Sequence, residues 1–184
     1  MEKHPLYTIG HGARKNEEFL FLLQQFNVEY LIDVRSQPYS KFYPQFNQNQ
    51  LKVFLESNNI TYVFMGDALG GRPEDPTCYD TEGKVDYAKV KNKDFFVQGI
   101  HRLKTAYSKN LVTAIMCSES KPCECHRTKL IGQELSKEHI GLKHIDENGR
   151  LKDQATVINE LNKGLSDLDL FGNQISSKSR KAYL

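Results

Sequence analysis

The sequence lacks the features that mark membrane, secreted and fibrous proteins. No apolar run approaches the ~20 residues needed to span a bilayer. Met1-Glu2-Lys3-His4-Pro5 runs straight into a strand pattern with no apolar leader between. The expectation is a cytoplasmic protein with no membrane partner. Internal repeats and low-complexity tracts are absent. Neither sign of charge dominates, with 25 Lys and Arg against 23 Asp and Glu. Overall charge therefore does not demand nucleic acid, and any anion-binding character must be local. Familiar cofactor signatures are missing too. No Gly-Lys-Ser/Thr follows Gly70-Gly71-Arg72, so there is no Walker loop. Lys15 stands where the third glycine of a dinucleotide fingerprint starting at Gly10-His11-Gly12 would fall. There is no Cys-x2-Cys pair, and Cys123-x-Cys125 is tight for two ligands, so no metal is expected. The sequence leaves open which cofactor, if any, is used.

What remains describes an ordinary globular chain. Its 184 residues are 39% hydrophobic and 26% charged, which suits one domain with a normal core. In a cytoplasmic setting the cysteines at 78, 117, 123 and 125 are expected to be thiols, catalytic groups or ligands, not structural disulfides.

Strand-like and helix-like runs alternate. Strands are expected at Tyr7–Gly10, Tyr30–Arg35, Thr61–Met65, Leu111–Cys117 and Leu142–Ile145. Helices are expected from a cap at Asn16 through Phe26, after Asn47 or Asn49, over Asp94–Tyr107 and Arg127–Lys137, and over Gln154–Asn162 behind a cap at Asp153. Gly66 to Asn92 reads as one long polar loop, the kind that forms lids. The aromatics Tyr39, Phe42, Tyr43 and Phe46 are expected to pack onto the core, with base stacking as the alternative. This pattern predicts an α/β fold of three layers, a mainly parallel five-stranded sheet with helices on both faces. One domain is expected over residues 1–163, with 164–184 a tail, partly ordered or docking, that carries Lys178, Arg180 and Lys181.

In such a sheet every strand C-terminus lies on one edge, where ligands bind. The residues following the strands are chemically rich. His11 and Arg14 follow the first, Asp33 and Arg35 end the second, and Gly70-Gly71-Arg72 follows the third. The fourth runs into Cys117, Glu119, Cys123, Cys125, His126 and Arg127, and the fifth into Asp146 and Glu147. Cys125-His126-Arg127 stands where a helix begins. Unpaired amides and the helix dipole favour an anion there, and Arg127 adds a bidentate grip from the surface. The same field would favour a Cys125 thiolate, although a buried inert cysteine is the preferred reading. Cys117 reads as a small buried hydrophobe or a cleft residue. Glu119 reads as a general base or as a structural partner for an arginine. Asp33 and Arg35 share a strand face, either as a fixed ion pair or with Arg35 facing substrate. His11 reads as an acid/base or a cap. Gly70 and Gly71 let the backbone turn or approach a ligand closely.

These residues also carry a likeness. Thr8-Ile9-Gly10-His11, Asp33-Val34-Arg35-Ser36 with Pro38 and Ser40, Phe46-Asn47, Leu69-Gly70-Gly71, Met116-Cys117 with Glu119, and Cys125-His126-Arg127 occur in order. As an ordered set they make the chain resemble the DUF488 family of uncharacterised prokaryotic proteins. The likeness runs from the first strand to about Ile145. It implies a fold and a site, not a reaction. The family pattern has Ser after Gly-His, where this chain has Gly12, so a hydroxyl there is not essential.

The expected function is an enzyme acting on a phosphate-bearing or otherwise anionic substrate, a nucleotide or nucleic acid among them. Arg35, Arg72 and Arg127 would bind the anion beside Gly70, Gly71 and Cys117. His11, Asp33, Glu119, Cys125 and His126 would supply the chemistry. A non-catalytic nucleotide or nucleic-acid sensor and a rhodanese-like thiol protein are the alternatives. Oligomeric state is not legible.

Overall fold

The computed structural model describes residues 3–162 and 178–184. Its centre is a six-stranded sheet. In chain order the elements are β1 (Leu6–Gly10), α1 (Asn16–Gln25), β2 (Tyr30–Asp33), α2 (Gln48–Glu56), β3 (Thr61–Phe64), α3 (Gly66–Leu69), β4 (Lys84–Asp86), α4 (Tyr87–Val90), α5 (Asp94–Ser108) and β5 (Thr113–Cys117). A π-helical turn, Arg127–Gly132, leads into α6 (Gln133–Lys137), then β6 (Leu142–Ile145), β7 (Leu151–Asp153), α7 (Gln154–Leu161) and β8 (Lys178–Ala182). The sheet order is β3-β2-β5-β1-β6-β7. The first five strands in that order are parallel, and β7 is antiparallel to β6.

The apolar pattern explains this arrangement. β5 lies at the centre and all five of its residues are buried, as a strand covered on both faces requires. Side chains alternate between two cores. Ile32, Ile115, Leu6 and Leu142 pack on one face with Leu69, Phe96, Leu103 and Leu135. Ile9, Leu31, Ala114 and Ile145 pack on the other with Phe19, Leu23, Leu51 and Leu55. Each such side chain contributes ~1.5–3 kcal/mol by leaving water. Four helices are followed by a residue in the left-handed region: Asn27, Asn59, Asn110 and His139, with φ of 52, 61, 56 and 56°. Asparagine tolerates that conformation best among non-glycine residues.

The three-layer α/β architecture is as the pattern predicts, with these differences. The sheet has six strands, not five, because Leu151–Asp153 adds an edge. The stretch read as one loop, Gly66 to Asn92, contains α3, β4 and α4. Lys15, not Asn16, occupies the cap position of α1, and Asp153 caps α7 through the Thr156 amide at 2.7 Å. In the tail, β8 pairs antiparallel with β4. The expected boundary after residue 163 lies outside the described residues, as does the first part of the tail. No helix among the described residues is long and apolar enough to cross a membrane.

Beneath the sheet edge, His144 is wholly buried between Thr8 Oγ1 and Gln154 Oε1, each at 2.7 Å. Gln154 turns its amide N–H to the Thr128 carbonyl, so its oxygen accepts from His144 Nε2. Nδ1 then accepts from Thr8, and the neutral ring is fully partnered. Burial, reinforced by the Arg127 charge, lowers His144 to about 4. The unfolded chain takes up that proton near pH 6.5, the native protein only near 4. This group therefore costs nothing at neutral pH and removes about 3 kcal/mol of stability as pH falls from 6.5 to 4. His144→Gln should flatten that fall. Urea unfolding of both proteins at pH 7 and 4.5 measures it, and parallel losses in the two would refute the assignment.

Candidate functional site

The strand C-termini form one edge, and buried arginines organise it. Arg35 grips Asp33 bidentately, Nε to Oδ1 at 2.9 Å and Nη2 to Oδ2 at 2.6 Å. The Tyr62 hydroxyl donates to Oδ2 at 2.7 Å, and the Arg35 amide donates to Oδ1 at 3.1 Å. Asp33 is wholly buried and both its oxygens are taken, so it orients Arg35 instead of accepting a substrate proton. Burial, with the Asp33 charge beside it, raises the Tyr62 phenol and keeps it a donor. Arg35 Nη2 also donates to the Phe46 carbonyl, and Nη1 lies 3.4 Å from His11 Nε2. His11 donates from Nδ1 to the Gly12 carbonyl at 2.9 Å and stacks on Phe46 at 4.4 Å. Burial first, then the Arg35 charge, lower His11 to about 4. It is a neutral acceptor at pH 7.

The second cluster is sulfur-rich. Cys117 ends β5, and Cys125 and His126 lead into the π-helical turn. Cys117 Sγ donates to Glu119 Oε2 at 3.0 Å. His126 Nδ1 lies 3.7 Å from both Cys117 Sγ and Cys125 Sγ. The other ring nitrogen, Nε2, donates to the Val34 carbonyl at 3.2 Å. The Arg127 backbone N–H donates to Cys125 Sγ at 3.4 Å. Burial would push Cys125 up, but the hydrogen bond from Cys117 and the Arg127 charge bring it below the usual thiol range. Cys117, donating to its neighbours in a buried setting, is raised. Burial likewise opposes the Glu119 carboxylate, yet the Cys117 bond and the His126 charge hold it to about 2. That value does not suit the general base the sequence suggested. Cys117, Cys125 and His126 place their ligand atoms within 4.8 Å of one another and could hold a metal ion. All four cysteines are free thiols. Cys123 has no part in this cluster.

Arg127 departs most from expectation. It is wholly buried, not a surface grip. Nη1 donates to the Glu119 carbonyl at 2.6 Å and Nη2 to the Ser120 carbonyl at 3.2 Å. The amides of the following turn are also taken, since Thr128 and Lys129 both donate to the Cys125 carbonyl at 3.1 Å. The anion site expected at this helix start is occupied by the protein's own acceptors. Gly10 permits the arrangement, because a Cβ there would lie 1.8 Å from the Glu119 carbonyl oxygen.

A cavity of about 230 Å³ opens over the sulfur cluster. Cys117, Glu119 and His126 form its floor, beside Arg35, while Arg72, Arg180, Lys181 and Tyr183 stand around it. Gly70 and Gly71 serve packing. A Cβ on Gly70 would strike Ser36 Oγ, which accepts the Arg72 amide at 2.9 Å, and one on Gly71 would lie 2.8 Å from His126 Nδ1. The Arg72 guanidinium stacks on Tyr183 at 4.2 Å, and Arg180 pairs with Glu124 at 2.8 Å. Sequence reasoning missed Tyr62 and the β8 wall; the basic residues of the tail were the only signal for the latter. It also expected the aromatic loop to pack inward. Phe46 does, but Tyr39 is 74% and Phe42 84% exposed, and Tyr39 reaches the cavity.

The family model described as "Domain of unknown function DUF488" matches residues 15–133, well over half of the chain. The match takes in Asp33, Arg35, Arg72, Cys117, Glu119, Cys125, His126 and Arg127, but neither His11 nor the β8 wall. No curated protein and no solved structure matches.

The burial of Arg127 has a direct consequence. Arg127→Ala strips two part-buried carbonyls of their donors and leaves a void, so it should cost about 2–4 kcal/mol. A surface arginine would cost under ~0.5. Chemical denaturation separates the two, and an unchanged midpoint would return Arg127 to the surface.

Proposed function

We propose that this chain, which belongs to the DUF488 family, is an enzyme that draws a phosphate-bearing or otherwise anionic substrate into the cavity at the C-terminal edge of its sheet. The observation that carries this reading is the composition of that cavity. Its wall is mainly cationic, with Arg72, Arg180 and Lys181 against the single carboxylate Glu124, while its floor is reactive, with Cys117, Glu119 and His126. A purely binding site has no need of a buried thiol–imidazole–carboxylate cluster at its base, since such groups are hard to keep in an apolar interior. Nucleotides or nucleic acid are the substrates the surroundings favour, because the exposed Tyr39 lines the cavity together with its basic residues.

The roles then differ from those read off the chain. Arg72, Arg180 and Lys181 attract and hold the anion. Arg35, locked by Asp33, offers a fixed positive charge at the cavity side. His11 stays neutral and props Arg35. Glu119, held ionised, orients the Cys117 thiol. Arg127 holds the loop. The rhodanese-like alternative is disfavoured because Cys125, the lower-pKa thiol, is only 1% exposed, whereas a persulfide carrier must present its sulfur.

Phosphate, pyrophosphate and a nucleotide panel should raise the melting temperature of the native protein by mass action. Lys181→Ala and Arg180→Ala alter exposed side chains, so they should leave the unliganded protein nearly as stable. Each should weaken ligand binding by about tenfold, the value of one charge-assisted contact. Prolonged incubation then separates enzyme from sensor, since an enzyme's ligand is consumed and a sensor's is recovered intact. The reading fails if no anion shifts the wild type, or if the variants shift equally.

A further inference from the structure

We propose that Cys117, Cys125 and His126 bind one zinc ion, with its fourth coordination position open to the cavity. The proposal goes beyond the anionic-substrate reading and does not need it, because a metal here stands or falls on its own stoichiometry.

The geometry is the first argument. Zinc bonds to thiolate sulfur at about 2.3 Å and to imidazole nitrogen at about 2.0–2.1 Å, so a tetrahedral centre holds N and S about 3.6 Å apart. His126 Nδ1 is 3.7 Å from Cys117 Sγ and 3.7 Å from Cys125 Sγ. The two sulfurs lie within the same 4.8 Å. An ion can be seated with little movement of any ligand.

The surroundings make the second argument. A metal-bound imidazole commonly donates its other N–H to a carbonyl or carboxylate, which fixes the tautomer. His126 Nε2 donates to the Val34 carbonyl, leaving Nδ1 to face the sulfurs. Cys125 Sγ already accepts the Arg127 amide, as a thiolate ligand would. Gly71 keeps the space beside Nδ1 clear, since a Cβ there would crowd it to 2.8 Å.

The third argument is the open side. Structural zinc sites close with four protein ligands, whereas catalytic sites use three and keep a place for water or substrate. Here Cys117 and His126 line the cavity and Cys125 lies behind them. Binding releases to solvent the Cys117 proton, now shared with Glu119, together with any proton on Cys125 Sγ or His126 Nδ1, and two thiolates then balance the ion's two charges. The expectation of no metal rested on the Cys123–Cys125 spacing. The fold assembles a different set, bringing Cys117 from the end of β5 to an adjacent Cys125-His126 pair.

Elemental analysis of protein expressed with zinc and purified without chelator should find about one zinc per chain. Cys125→Ala and His126→Ala should retain under a tenth of that, and Cys123→Ala should retain all of it. A variant could lose zinc by misfolding, so the second measurement uses unaltered protein. Metal-free wild type, shown to be folded by circular dichroism, is titrated with Co²⁺. It should develop the thiolate-to-cobalt charge-transfer band and the intense visible bands of a tetrahedral site, at one equivalent. Absence of those bands, or equal zinc in Cys123→Ala and Cys125→Ala, overturns the proposal. A phosphate-induced thermal shift of the metal-free protein, run beside it, reports on the substrate reading separately.

Discussion

The buried Arg127 guanidinium is the contact on which the candidate site depends. A parallel sheet leaves carbonyls at its C-terminal edge and in the loops beyond, outside the ladder. Where those loops are buried the carbonyls need donors. Arg127 supplies two, to Glu119 and Ser120, and so folds the segment after β5 back onto the end of β1 at Gly10. Arg14 does the same nearby, donating to the carbonyls of Gly10 and Asp146 and joining the ends of β1 and β6. Arg35 ties the end of β2 to the loop at Phe46. Glu119, Cys125 and His126 keep their positions because these arginines hold the edge together.

The same contacts give the edge its electrostatic character. The chain carries nearly balanced charge, yet Arg14, Arg35 and Arg127 are all buried beneath one rim. Of these, Arg35 has a buried carboxylate partner within the described residues. Charges out of water are screened far less than those on the surface, so they shape the local field out of proportion to their number. The acidic groups sit among them as counterparts, Asp33 against Arg35 and Glu119 on the Cys117 thiol.

Much of the architecture was legible in the chain, for physical reasons. The strands of the parallel sheet are apolar runs between helix-like segments, and only a doubly covered sheet accommodates them. β4, β7 and β8 were not legible. Lys84–Asp86, Leu151–Asp153 and Lys178–Ala182 are short and mostly polar, so partner strands define them, not their own pattern. The location of the site was legible because strand order sends every C-terminus to one edge. Several roles were not. Arginine ordinarily signals exposure, and nothing local shows that Arg127 and Arg35 are enclosed. The cavity wall from β8 comes from the far end of the chain, and Tyr62 reaches Asp33 from the neighbouring strand. Ligand spacing along the chain likewise did not show that the ligand atoms of Cys117, Cys125 and His126 come within 4.8 Å of one another.

The two histidines at the rim show how the edge divides. His11 and His126 are both buried, and burial lowers both. His11 faces Arg35, whose positive charge lowers it further, to about 4. His126 faces Cys125 and Glu119, whose negative charges outweigh burial and raise it. One residue type is thus fixed as a neutral prop in one half of the rim and drawn toward the cationic form in the other. The half built on Asp33, Arg35 and His11 is saturated with hydrogen bonds and holds its shape. The half built on Cys117, Cys125 and His126 has only long sulfur contacts at Nδ1 and an open cavity above. The proposed chemistry rests on that second half, where Cys117, Glu119 and His126 meet the cavity.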